Sequence, residues 1–266
     1  MSFDHCRLSF ALAAWCWATS FLACCTTSTA PVSVPETVAD TDSGTRAIMG
    51  SGPEAAAKQG FCAQPLPQQA APRSVADVVA LLNAAPKPVS LPCLLSSLAR
   101  PLALYATNSV ISAQPAVGRR SPRTFLFFDG LIASIVPDGP GSQLLEFGEL
   151  RSDTRTLKAE IEFPVTETLS ADEPFERIMF DDEKTSCAFC HASEQRDESM
   201  PTTRAFISQA LRPAPRERVL LTDLSREAEA CDVEAEPERC AMLRSVFLGG
   251  APVDHEFPAP FSTIVP

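Results

Sequence analysis

Over residues 156–165 an apolar side chain falls on every second position. Leu157, Ala159, Ile161, Phe163 and Val165 alternate with Lys158, Glu160 and Glu162. Successive side chains of an extended strand point to opposite sides, so this period predicts a strand with one side on a core and the other in water. Residues 124–128 and 131–136 are two more apolar runs, joined by Asp129-Gly130, a pair suited to the positive backbone angles of a tight hairpin. A short apolar run at 102–105 precedes them. Pro137-Asp138-Gly139-Pro140 marks a further turn, and residues 144–147 follow it. Short strands separated by turns predict an antiparallel sandwich or meander. The 24 prolines point the same way, because proline lacks a backbone donor and interrupts long helices.

Helical signals flank this region. Ser74 reads as an N-cap with Asp77 behind it, and Val75, Val78, Val79, Leu81 and Leu82 make an apolar side that ends at Pro86 and Pro88. Residues 206–211 and 219–221 read as further strands, and 224–231 as a short helix. A second helix starting at Pro237 carries Cys240, Leu243, Val246 and Phe247 on one side and stops at Gly249-Gly250. The expected fold is therefore α+β: a β-rich core over 61–170, and a helical C-terminal subregion over 171–266 that carries the Cys187–His191 motif and belongs to the same domain.

The N-terminus predicts export. Residues 8–23 carry no charge and follow Arg7, which suits the apolar core of a signal peptide and is short for a membrane span. Leu22-Ala23-Cys24-Cys25 resembles the lipobox of bacterial lipoproteins and makes Cys25 the candidate lipid-bearing residue. Cleavage after Ala30, with Ser28 and Ala30 as the small residues, is the alternative. Residues 1–25 are then the signal peptide, and the Thr-, Ser-, Pro- and Ala-rich stretch over 26–60 is a disordered linker. Contact with a membrane is expected only through the lipid, and the location is the periplasm or cell envelope. A formal charge of −11 argues against a nucleic-acid partner, since phosphate backbones are repelled.

The chemistry-bearing motif is Cys187-Ala188-Phe189-Cys190-His191. It resembles the haem-attachment site of c-type cytochromes. The resemblance implies one haem c, bound through Cys187 and Cys190 with His191 as proximal iron ligand. It also implies electron transfer with an unidentified redox partner protein rather than catalysis. Met200-Pro201 resembles the pair that supplies the distal ligand in small cytochromes c, which makes Met200 the first candidate, followed by His255 and Met242. The long β-leaning stretch before the motif does not suit the usual small cytochrome c fold. Two other readings of the motif are a Cys187–Cys190 dithiol, and half of a zinc site completed from Cys231, Cys240 or His255. Asp181, Asp182 and Glu183 form either an acidic docking patch or a solvated loop. Arg119, Arg120 and Arg123 either grip an anion such as a haem propionate or balance surface acids.

Ten cysteines suit an oxidising compartment. Cys6 and Cys16 leave with the signal peptide, and so does Cys24 when Cys25 is the lipid site. With Cys25 assigned to lipid and Cys187 and Cys190 to haem, Cys62, Cys93, Cys231 and Cys240 remain. Of their three possible pairings, the local one is expected: Cys62–Cys93 and Cys231–Cys240. The contrasting possibility is a non-catalytic envelope lipoprotein, an interaction or structural module whose cysteines are all in disulfides.

Overall fold

Ser74 opens the first element of the computed structural model, which describes residues 70–112 and 114–264. The expected signal peptide, the Cys25 lipid site, the linker over 26–60 and Cys62 lie outside the described residues. Helix α1 (Val75–Ala84) starts at a capping box, in which Ser74 Oγ accepts from Asp77 N at 3.1 Å and the Asp77 carboxylate accepts from Ser74 N at 3.1 Å. Its buried side is Val75, Val78, Val79 and Leu82, as the spacing predicts. Pro86 and Pro88 end it, but a second helix, α2 (Leu91–Ser97), follows directly. Ser90 caps α2, and Pro92 sits in its first turn, where a backbone donor is not needed. Sequence reading stops at the prolines and misses this helix.

Eleven strands follow: β1 (Ala103–Thr107), β2 (Arg123–Phe127), β3 (Leu131–Ile135), β4 (Leu144–Leu150), β5 (Arg155–Glu162), β6 (Gln195–Arg196), β7 (Phe206–Gln209), β8 (Leu211–Arg212), β9 (Arg218–Val219), β10 (Val253–Asp254) and β11 (Ser262–Thr263). The main sheet runs β10-β1-β2-β3-β4-β5-β7-β6, and β9 pairs with the far end of β1. Its neighbours are antiparallel except for β10, which runs parallel to β1. β8 and β11 form a separate parallel pair. From β2 to β5 the chain is a meander in one sheet. Gly130 takes the positive φ of 85° expected of the Asp129-Gly130 turn, and Phe128 N donates to Leu131 O at 2.8 Å across it.

The α+β class with a sheet-dominated core therefore stands. One side of the sheet carries Leu104, Leu126, Leu145, Leu157 and Ile161, packed with α1, α2, α4 (Leu221–Ala230) and α5 (Pro237–Phe247). Each fully buried leucine there contributes about 2–3 kcal/mol by leaving water. The other side carries a smaller apolar cluster: Tyr105, Ile132, Ala210, Phe257 and Phe261. This second layer corrects the expected wet side of β5. Thr156 and Lys158 are 2% and 7% exposed, because the chain after β5 folds back over them.

α3 (Glu173–Glu176) is a single turn, and the Cys-x-x-Cys-His motif lies after it on a 3₁₀ turn, Ser186–Phe189, ahead of β6. The motif thus belongs to a loop laid on the sheet, whereas the C-terminal helices α4 and α5 sit elsewhere in the chain. Those two helices are joined by the expected Cys231–Cys240 disulfide, with Cα atoms 5.6 Å apart. Cys93 is also disulfide-bonded. Residues 206–211 divide between β7 and β8. Residues 219–221 end β9 and begin α4, so only their first part is strand. The described residues fall within one compact unit, and no helix among them is long and apolar enough to cross a membrane.

The loop closed by Cys231–Cys240 spans a sequence separation of 9, for which chain entropy gives a stabilisation of about 2–3 kcal/mol. Replacing both cysteines with serine should lower the urea-unfolding free energy by about that amount. Non-reducing peptide mapping of the native chain should recover this link. A map joining Cys187 to Cys190, with Cys231 and Cys240 unlinked, would contradict the pairing.

Candidate functional site

The loop that carries the motif is clipped to itself and to the sheet. Thr185 caps the 3₁₀ turn by accepting from Cys187 N at 3.1 Å. The Glu194 carboxylate accepts from Thr185 N at 2.8 Å and from Thr185 Oγ1 at 2.5 Å, closing the loop across the motif. Ser193 stands at φ 56°, where the chain reverses, and its carbonyl accepts from Arg155 Nη2 of β5 at 2.6 Å. Gln209 N donates to Ala192 O at 3.0 Å, which ties the loop to β7.

These clips place His191 with its Nδ1 2.7 Å from the Gln209 carbonyl. A carbonyl can only accept, so Nδ1 carries the proton and Nε2 keeps its lone pair. Metal-ligating histidines are commonly fixed in this way by a partner behind the ring. Burial, helped by the positive Lys158 nearby, pushes the His191 pKa down to about 3, so the ring is neutral at physiological pH. Cys187 and Cys190 are both free thiols, the first half-buried and the second exposed. Burial pushes the Cys187 thiol up to about 11, against a weaker opposite pull from Lys158.

Cys187, Cys190 and His191 line a cavity of about 170 Å³ between the loop and the second side of the sheet. Its floor and walls include Phe125, Ile132, Gly148, Phe257 and Phe261, with Arg123, Glu146, Lys158, Glu160 and Arg212 as its charged groups. Arg123 pairs with Glu146 and reaches Ser134 Oγ at 2.9 Å. Of the arginine cluster seen in sequence, Arg123 alone lines the cavity, whereas Arg120 pairs with Glu236 elsewhere. Lys158 was invisible as a site residue, since alternation put it in water. No local signal set it apart from Glu160 and Glu162, the other charged residues on that side of β5.

The distal-ligand candidates Met200, His255 and Met242 are not among the residues that line this cavity. Met200 packs against the helix-side core, with its Sδ 3.6 Å from Arg151 Nη2. Met242 is buried in the helix-side core as packing. His255 is exposed and stacks on Phe127 with centroids 4.4 Å apart. The zinc alternative loses Cys231 and Cys240 to their disulfide. Among the described residues no group of three or more His, Cys, Asp or Glu side chains could hold a metal ion. An iron held in a porphyrin needs only one or two axial ligands from the chain. Of the acidic run before the motif, Asp181 accepts from Glu183 N and Lys184 N, and Asp182 pairs with Arg204.

The donor set fits haem c: two free thiols one turn apart, and an imidazole with Nε2 unprotonated. The cavity is smaller than the ~300–1,000 Å³ of pockets that enclose a ligand. Next to it, Phe180 and Phe189 are 59% and 69% exposed and meet edge-to-face at 5.1 Å.

A thiol pKa raised from 9.0 to about 11 leaves Cys187 with ~100-fold less thiolate at pH 8. In the folded, haem-free chain, iodoacetamide should label the exposed Cys190 first, with the half-buried Cys187 lagging clearly behind. Unfolding in urea should equalise them. Equal rates in the folded chain, read by peptide mass spectrometry, would contradict the geometry.

No protein-family model matches this chain, and neither a search of curated proteins nor a search of solved structures finds a match.

Proposed function

We propose that the chain is an exported, single-haem c-type cytochrome-like protein that transfers electrons at the cell envelope. The observation that carries this reading is the His191 Nδ1 contact with the Gln209 carbonyl, which leaves Nε2 unprotonated next to two free thiols. When bound, the haem supplies a one-electron couple. Cys187 and Cys190 hold it covalently, His191 holds the iron from one side, and the loop clips at Thr185, Glu194 and Arg155 keep the imidazole aimed. Phe125, Ile132, Phe257 and Phe261 line the cavity with the motif and would limit the access of water to a group held there. Export and the lipid anchor at Cys25 rest on the N-terminal sequence, and the partner is a redox protein. The contrasting module with all cysteines in disulfides is less well supported, because Cys187 and Cys190 are free while Cys231 and Cys240 are bonded.

The full chain should be expressed with a haem-maturation system and its reduced absorption spectrum recorded. A sharp α band that survives acid-acetone extraction is expected. Cys187→Ala with Cys190→Ala should abolish it, and His191→Ala should disturb ligation and maturation. Met200→Ala should leave the band position unchanged, since Met200 does not line the cavity. A wild-type chain that takes up no covalent haem overturns the reading.

A further inference from the structure

On the second side of the sheet the pairing register sets Thr156, Lys158 and Glu160 of β5 beside Leu150, Gly148 and Glu146 of β4. Gly148 also stands opposite Ile132 of β3. The position next to Lys158 therefore has no side chain, and this gap is part of the cavity floor. Backbone geometry does not demand glycine there: a Cβ would come no closer than 3.4 Å to Thr156, and the φ is not in the left-handed region. The missing side chain leaves space beside the ammonium.

Lys158 is 7% exposed and donates one hydrogen bond, to Thr156 Oγ1 at 2.6 Å. No carboxylate among the described residues lies within ion-pair distance of it. The cavity's own carboxylates are engaged elsewhere, Glu146 with Arg123 and Glu160 with Arg177 at 2.9 Å. An ammonium has three donors, and a buried one without a counter-charge costs several kcal/mol. A second sign of a missing polar partner is Ser109 Oγ, which belongs to a cavity-lining residue and is buried with no hydrogen bond. Arg212, also on the cavity wall, donates from Nε to Thr263 Oγ1 at 3.3 Å and pairs with no carboxylate among the described residues.

We infer that this cavity is a carboxylate-binding site in which Lys158 Nζ is the principal cation and the gap at Gly148 is the seat. The carboxylate comes either from a haem propionate, in which case the inference rests on the proposed function, or from a free small carboxylate. A propionate here would find its counter-charge in Lys158 Nζ.

Two measurements on the full chain separate these sources. In the haem-free chain, melting is followed against sodium propionate with sodium chloride keeping ionic strength constant. A saturable rise in Tm, absent in Lys158→Met and in Gly148→Val, identifies the site. Gly148→Val keeps the charge and fills the seat, so it serves even where Lys158→Met folds poorly. In the haem-loaded chain, the propionate bending band is read by resonance Raman. A shift in Lys158→Met with the iron–histidine band unchanged, together with loss of the response to added propionate, assigns the carboxylate to haem. A response to added propionate that persists in the loaded chain assigns it to a free ligand. A chain that takes up no haem overturns the haem reading, and the propionate titration then decides the site alone. No saturable response in the haem-free chain and no Raman shift overturns the inference.

Discussion

Both sides of β5 are covered, and much of the second side of the molecule follows from that. One side packs on the helices through Leu157, Ala159 and Ile161, and the other lies under the motif loop with Thr156 and Lys158 buried. A strand covered twice must give each of its polar groups a partner from within the protein or from a ligand. The loop supplies some of those partners. Arg155 spends its guanidinium on the Ser193 and Ile207 carbonyls, and Gln209 of β7 gives its carbonyl to His191 and its N–H to Ala192. The same contacts that cover β5 therefore orient the imidazole. Lys158 is left with one bond, and the cavity opens beside it.

The electrostatics of this layer run against those of the chain as a whole. The formal charge is −11, yet in the cavity lining the cations Arg123, Lys158 and Arg212 outnumber the carboxylates Glu146 and Glu160. Low dielectric amplifies each charge there. Burial holds Lys158 down to about 8, Cys187 up to about 11 and His191 down to about 3, which favours the neutral form of each group. A neutral thiol and a neutral imidazole suit covalent capture and axial ligation, and they suit thiol–disulfide exchange poorly, since exchange needs thiolate.

The strands were legible because their signals are local. Alternation over 156–165 and the Asp129-Gly130 turn need no tertiary context, and the Ser74–Asp77 cap lies within four residues. The Cys231–Cys240 link was legible because its loop is short. Helix α2 was missed because prolines that end one helix also start another when they fall in a first turn, as Pro92 does. The side of β5 given to water was misread because burial by a segment far along the chain leaves no mark on a strand's own period. Met200 was named by analogy with small cytochromes c; it packs on the helix-side core and does not line the cavity. The motif itself needed only five adjacent residues. What aims it, the Gln209 carbonyl, is a backbone group and has no signature in sequence.

The central claim is that Cys187 and Cys190 are thioether attachment points beneath an imidazole already oriented for iron. Intact mass measured under denaturing and reducing conditions, on the full chain co-expressed with haem-maturation machinery, tests it most directly. The account predicts a gain of one haem, with proteolytic fragments placing it on the peptide that contains Cys187 and Cys190. An unmodified chain in which both thiols remain open to alkylation would contradict it.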